Sequence, residues 1–243
     1  MEGGMRWAVI ADIHGNLEAL ERVEAYLKEH QLERVMCLGD SISYGANPNE
    51  CLAWVFRHCE CHVLGNHEAA LVHESLRWDF GGWARVALDW TAERMDPGLM
   101  ARLRELPYSQ IHELMTMAHG TIDRPEAFEY LTEGEAVIKS FSALKTFAGF
   151  VAHTHIPGWF SEKKSQGGGY LDEGKIRLAK EDRYLLNPGS VGQPRDYDPR
   201  LSFAVFDSEE LTFEIVRLPY DNEKAAKKIR SEGLPRTLAD RLL

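Results

Sequence analysis

Trp7-Ala8-Val9-Ile10-Ala11-Asp12-Ile13-His14-Gly15-Asn16 is the stretch from which the fold can be read. Five apolar residues in a row suit a strand covered on both faces, because a half-exposed strand would alternate. The run stops at Asp12. Beyond it Leu17, Leu20, Val23 and Leu27 recur at helical spacing, with Asn16 placed to cap. The unit is strand, turn, helix, and the turn holds two side chains able to do chemistry, Asp12 and His14. The pattern then repeats. A second strand is expected over residues 34–38, a helix from near Pro48, and a third strand over 61–64. Strands alternating with helices predict βαβ units and a mainly parallel sheet.

Further along, the patterning changes. From about 69 to 106 the chain is dense in helix formers, with a break near Pro97-Gly98 and an end at Pro107, which predicts a helical insertion. Trp83, Val86 and Trp90 fall on one helical face and read as core packing. Later strands are expected over 114–118, 147–152, 183–186, 201–207 and 211–218. Asp207-Ser208-Glu209-Glu210 looks like the turn of a hairpin, so part of this half is antiparallel. Ser165-Gln166-Gly167-Gly168-Gly169 reads as a loop, and the charged tail from Asp221 as helical. No repeat or clean linker divides residues 1–243, which we read as one α/β domain.

Composition narrows the class. Of 243 residues, 44% are hydrophobic and 27% charged, as in a globular chain with a sizeable core. No apolar run approaches the roughly 18 residues that span a bilayer, and Met1-Glu2-Gly3-Gly4-Met5-Arg6 does not read as a signal peptide. No membrane association is expected. The net charge of −10 disfavours a broad nucleic-acid face and requires local cations to hold any anionic ligand. Cys37, Cys51, Cys59 and Cys61 imply no disulfide framework. Cys59-Glu60-Cys61-His62 could bind a soft metal, but reduced thiols in a cytoplasmic protein are the better reading.

Five short polar clusters follow the expected strands. They are Asp12-Ile13-His14, Gly39-Asp40, Gly65-Asn66-His67-Glu68, His119-Gly120 and His153-Thr154-His155. Ligands of open α/β sheets bind outside the carboxyl ends of the strands, so these clusters should converge. Gly-Asn-His would arise only about 0.02 times from composition, but the stronger signal is the shared placement and order. The other five histidines, His30, His58, His62, His73 and His112, read as surface or packing residues. Carboxylate, imidazole and amide oxygen together suit Mn, Fe, Zn or Ni. In an extended segment residues i and i+2 face the same way, so Asp12 with His14, and His153 with His155, can each aim at one site. Asp40 has two oxygens with which to bridge two cations about 3.5–4 Å apart.

In this order the motifs resemble the calcineurin-like metallophosphoesterase superfamily, from Asp12 to about Arg195. The resemblance implies an α/β/β/α sandwich of two mixed sheets. It implies two divalent transition metal ions, one held by Asp12, His14 and His155, the other by Asn66, His119 and His153, with Asp40 between them. His67 would contact the phosphate and assist the leaving oxygen. The activity implied is hydrolysis of a small phosphoester by a metal-activated hydroxide.

Departures from the family pattern bear on the substrate. Protein phosphatases and symmetrical diadenosine tetraphosphatases read Gly-Asp-x-Val-Asp-Arg-Gly at the second motif, where this chain has Gly39-Asp40-Ser41-Ile42-Ser43-Tyr44-Gly45. Ser43 replaces an acid that orients the catalytic histidine, Tyr44 an arginine that grips phosphate, and Leu64 a further arginine. Ala152 replaces a glycine without loss of a ligand. Fewer bidentate donors weaken the hold on a dianionic monoester, so a phosphodiester is favoured. The stretches 44–50 and 187–195 look like those of bacterial and archaeal predicted phosphodiesterases. In the second, Gly189 and Ser190 could form an anion nest with Arg195 as donor, or the Asn-Pro-Gly could be a plain turn. Glu68 could support His67 or simply suit a helix start. The alternatives are a phosphomonoesterase, a nucleotide polyphosphate hydrolase, and a non-catalytic scaffold on the same fold.

Overall fold

The computed structural model describes residues 6–163 and 167–243. The amino-terminal stretch Met1-Glu2-Gly3-Gly4-Met5, with Ser165 and Gln166 of the expected loop, lies outside them. The chain runs β1 (Arg6–Ile10), α1 (Leu17–Glu29), β2 (Arg34–Cys37), α2 (Pro48–His58), β3 (Cys61–His62) and α3 (Asn66–Val72). A short 3₁₀ helix, Glu74–Asp79, leads to α4 (Gly82–Ala92) and α5 (Pro97–Leu103). Then come β4 (Ser109–His112), β5 (Met115–Ala118), α6 (Glu135–Ala143), β6 (Ala148–Phe150), β7 (Gly158–Ser161) and β8 (Gly168–Tyr170). The chain closes with β9 (Gly174–Arg177), β10 (Tyr184–Asn187), β11 (Leu201–Asp207), β12 (Thr212–Leu218), α7 (Asn222–Ser231) and α8 (Arg236–Asp240).

Two six-stranded sheets result, ordered β3-β2-β1-β11-β12-β9 and β4-β5-β6-β10-β7-β8. In the first, β1, β2 and β3 are parallel and the hairpin β11–β12 pairs antiparallel to β1, with Val9 opposite Ala204. In the second, β5, β6 and β10 are parallel. The sheets are therefore mixed, not mainly parallel, because the strands added outside each parallel trio pair antiparallel.

Side-chain alternation explains the layers. Trp7, Val9 and Ala11 face inward with Met36 and Leu38, and meet Met117, Phe150 and Leu186 of the second sheet. Ala8 and Ile10 face outward, under Leu20, Val23 and Leu27 of α1 and Trp54 and Val55 of α2. Phe141 of α6 covers Val151 and Leu185 on the far side. Helix, sheet, sheet and helix thus stack as four layers. Asn16 caps α1 by accepting the Ala19 N–H at 3.2 Å, and Asp96 caps α5 by accepting the Leu99 N–H at 3.0 Å. The expected break near Pro97-Gly98 is the start of α5.

Several expectations change. Trp83 and Trp90 pack as anticipated, against α7 and α8, but Val86 is 52% exposed. Strands β4, β7, β8 and β9 and helix α6 had not been anticipated; β8 and β9 are short and largely exposed, so they carry no apolar run. Gly168 and Gly169, read as loop, pair in β8 with Phe160 and Trp159. Among the described residues no helix is long and apolar enough to cross a membrane.

Candidate metal centre

The carboxyl ends of the six parallel strands meet at one edge, and backbone hydrogen bonds lock their loops together. Asp12 N–H donates to Gly39 O at 3.0 Å and His14 N–H to Asp40 O at 2.9 Å. Ala152 N–H reaches His119 O at 2.8 Å, which joins β6 to β5. The Asp40 and Asp12 carboxylates take part too, accepting from His67 N–H at 3.0 Å and His153 N–H at 3.2 Å. Loops this close leave no room for a Cβ: one built on Gly65 would lie 2.1 Å from Asp40 Oδ1, and one on Gly39 2.4 Å from Gly65 N. The Gly-Asp and Gly-Asn motifs owe their glycines to this contact.

Asp12, His14, Asp40, His153 and His155 all sit at positive φ, between 49° and 68°. Asp12 and His14 converge as expected, whereas His153 and His155 are divided between two neighbouring groups, and all four sit on left-handed backbone rather than the extended chain expected. Non-glycine residues hold that conformation at a cost of about 1–2 kcal/mol each, and such strain clusters at functional sites.

The side chains form two trios. Asp12, His14 and His155 make one; Asp40, His119 and His153 make the other; the ligating atoms within each lie within 4.8 Å of one another. In the first, His14 Nε2 and His155 Nε2 are 3.2 Å apart, and Asp12 Oδ1 is 3.8 Å and 3.4 Å from them. In the second, His119 Nε2 is 3.1 Å from His153 Nδ1 and 3.3 Å from Asp40 Oδ2. Asp40 Oδ2 is also 3.7 Å from His14 Nε2, and so faces both. Asn66 starts α3 with its Oδ1 buried and without a partner, as is Asp12 Oδ1. His14, Asp40 and His67 form a further close group, with His67 Nε2 4.0 Å from Asp40 Oδ2. Among the described residues no such group includes a cysteine, so the Cys59–His62 reading as a soft-metal site falls away.

A cation fits these donors. His14, His119 and His155 each hold Nδ1 against a backbone carbonyl, of Ile42, Leu38 and Gln193, at 3.1, 2.8 and 2.6 Å. Donation of Nδ1–H to those carbonyls leaves the Nε2 lone pairs directed inward. Two such lone pairs 3.2 Å apart, beside an unpartnered carboxylate oxygen, call for a positive charge between them.

Electrostatics agree. Burial pushes the Asp12 carboxyl up to about 7 despite the pull of His119. Burial opposes ionisation of Asp40 too, but His119, His67 and His14 around it hold it well below the usual carboxylate range. Burial would lower His119, but Asp40 and Asp12 reverse this and raise it to about 9. Burial lowers His67 to about 4 and His153 to about 3, and His14 and His155 lie well below their ordinary value, so these four are neutral.

The remaining site residues divide. Glu68 is fully buried and serves the Asp40 loop, not His67: its carboxylate accepts N–H groups of Asp40, Ser41 and Gly65 at 2.8, 2.6 and 3.1 Å. Ser43 Oγ and His67 Nδ1 are both buried without a partner. Tyr44 packs on His14 and His67 with ring centroids at 4.4 and 4.5 Å. The expected anion nest is not available at Gly189, whose N–H is taken by Asn187 Oδ1 at 2.9 Å. Ser190 Oγ donates to Asp12 O at 2.8 Å, and Val191 and Gly192 N–H bond Ala11 O and Asp12 O at 3.0 and 2.9 Å. This loop clasps the end of β1. Arg195 is near the centre, with N–H donated to His155 O at 3.3 Å and Nε buried without a partner.

Arg241 escaped the sequence reading. Its guanidinium lies 4.4 Å over the Trp83 ring, which is 5.3 Å from Tyr44. Burial, then the like charge of Arg195, lowers its pKa, while Tyr44 raises it. Helices α7 and α8, packed on Tyr44, Trp83 and Trp90, bring it there. No motif marks it, since its neighbours are distant in sequence.

The calcineurin-like phosphoesterase superfamily domain matches residues 5–211. The chain is 39% identical over 241 residues to an uncharacterized protein of Methanocaldococcus jannaschii, covering 97% of this chain and 96% of that one. A metallophosphoesterase from Sphaerobacter thermophilus superposes with a TM-score of 0.88 at 32% identity, over 99% of this chain and 98% of that one. A hypothetical protein of Pyrococcus horikoshii shares the fold at a TM-score of 0.75 and 19% identity, over 98% and 97%. On the domain match and the extent of these relationships, the chain belongs to the calcineurin-like phosphoesterase superfamily.

Proposed function

We propose that this phosphoesterase is a binuclear phosphodiesterase. The observation that carries the reading is the pair of trios facing a shared Asp40, with His67 beside them. Asp12, His14 and His155 would hold one divalent ion, and Asn66, His119 and His153 the other. When bound, two such ions polarise phosphoryl oxygens and lower the pKa of water. Asp40 supplies the negative charge between them. His67 is 2% exposed and neutral, so it meets the leaving oxygen as an imidazole hydrogen-bond donor. Arg195 contacts the substrate anion. Ser43 and Tyr44, standing where protein phosphatases and symmetrical diadenosine tetraphosphatases carry an acid and an arginine, support a diester, which has one less charge to grip than a monoester. Mn, Fe, Zn and Ni all suit the donors. A small substrate agrees with the net charge of −10, and four free cysteines agree with a cytoplasmic setting.

One observation favours a second reading. Arg195 and Arg241 lie within electrostatic reach of each other and of Tyr44. Two guanidiniums suit a substrate with a further anionic group, as in nucleotide polyphosphate hydrolysis. Turnover by metal-stripped protein, with and without Mn²⁺, separates these. Mn-dependent hydrolysis of bis-p-nitrophenyl phosphate over p-nitrophenyl phosphate is expected. Preference for the monoester would contradict the diester reading.

A further inference from the structure

Beside the centre lies a cleft of about 400 Å³, within the size range of small-molecule pockets. Asn66 and His153, both of the centre, form part of its wall, so the cleft opens onto the reacting position. Four aromatic rings, of Tyr44, Phe80, Phe128 and Tyr130, supply much of the rest of the wall. Tyr130 lies flat on the His153 ring, centroids 4.1 Å apart and planes at 11°, and is itself half exposed. Phe80 stands edge-on to His67 at 4.9 Å, and Phe128 edge-on to His119 at 6.1 Å. Tyr44 closes the side toward the arginines. Three rings thus each touch a different histidine of the centre and also face open space.

We propose that the ester taken by this site carries a planar ring, and that the ring lies in the cleft between Tyr130, Phe80, Phe128 and Tyr44. The proposal rests on the phosphoesterase reading of the same centre and names its substrate class. A sugar or glycerol group needs hydrogen-bond partners when it is desolvated. Among the described residues of the wall the polar side chains beyond Asn66 and His153 are Asp79 and the phenols of Tyr44 and Tyr130, and the rings otherwise offer faces and edges. Each flat ring matched to an aromatic face is held by stacking, which is tolerant of ring type. The phosphate then sits beside Asn66 and His153, next to the ring that Tyr130 covers.

Phosphonates test this without turnover, because their P–C bond is not hydrolysed. Binding of phenylphosphonate, methylphosphonate, the phosphonate analogue of phosphocholine and the phosphonate analogue of AMP to Mn-loaded protein would be measured by calorimetry. Phenylphosphonate is expected to bind about 10-fold more tightly than methylphosphonate, which differs from it only by the ring. The preference should collapse in Tyr130→Leu and in Phe80→Leu and survive in Tyr130→Phe. Metal content measured alongside separates loss of ring affinity from loss of the centre. Tighter binding of the AMP analogue than of phenylphosphonate identifies the ring as a nucleobase, and equal binding identifies a bare aryl group; both sustain the proposal. Equal affinity for phenyl- and methylphosphonate, no binding of either, a preference that survives both leucine variants, or tighter binding of the phosphocholine analogue than of phenylphosphonate would overturn it. Ring preference without hydrolysis of either nitrophenyl ester would instead contradict the diesterase reading and leave the cleft assignment standing.

Discussion

Between the sheets, Phe150 meets Phe206 edge-on at 5.2 Å, and Val9, Met36 and Leu186 extend an apolar layer. A few residues further along the same strands, Asp12, Asp40 and His153 are equally inaccessible but charged or polar, at positive φ, with acceptors left open. The first region follows local preference throughout: apolar strand residues, both faces covered, ladder bonds made. The second opposes local preference at nearly every position. One region supplies stability, and the other holds strain and desolvated charge that only the first can support. A bound cation would relieve the second and leave the first untouched.

The sharpest way to break this contrast is to change each region alone. Asp40→Asn keeps the shape of the side chain but removes the charge that both trios face. We expect turnover to fall by roughly 10³-fold or more, with loss of bound metal and an intact fold by circular dichroism. Near-normal activity would refute the bridging role. Phe150→Ala in the sheet interior should do the opposite, lowering unfolding free energy by about 3–5 kcal/mol while metal content per folded molecule stays that of the wild type. Denaturant titration with metal analysis checks both halves.

Two smaller effects sharpen the same contrast. Asp12 at about 7 and His119 at about 9 are raised in the metal-free site, so below those values each holds a proton that an arriving cation must displace. The gain in Tm on adding Mn²⁺ should therefore be larger at pH 8 than at pH 6. An equal or smaller gain at pH 8 would show that these groups do not meet the metal. Arg241→Ala should raise KM for an anionic ester several-fold with little change in kcat, because it borders the centre and does not touch the two trios. An unchanged KM would place Arg241 in the packing of Trp83 alone.

The contrast also explains what could be read from the sequence. The residues that converge at the rim were legible because each follows an apolar run, and a run that ends in Asp, Asn or His marks the end of a buried strand. Their conformation was not legible, since nothing in Asp12-Ile13-His14 announces left-handed backbone at non-glycine residues. Strands β8 and β9 were missed because exposed pairing needs no apolar pattern. Arg241 and the aromatic cleft were missed for a third reason: packing of α4 against α7 and α8, and of distant loops around His153, brings them to the centre. Glu68 could be seen as a helix-start acid, and it does meet the Gly65 N–H of its own helix cap, yet its other two N–H partners, of Asp40 and Ser41, lie in a loop whose approach only the fold defines.

The central claim is that two cations share Asp40 at this rim. Electron paramagnetic resonance on the Mn-loaded protein, with metal content measured on the same sample, tests it most directly. The account predicts two Mn²⁺ per chain with the multiline signal of an exchange-coupled pair, lost together in Asp40→Asn. A single Mn²⁺ per chain, or two with the spectrum of isolated ions, would contradict it.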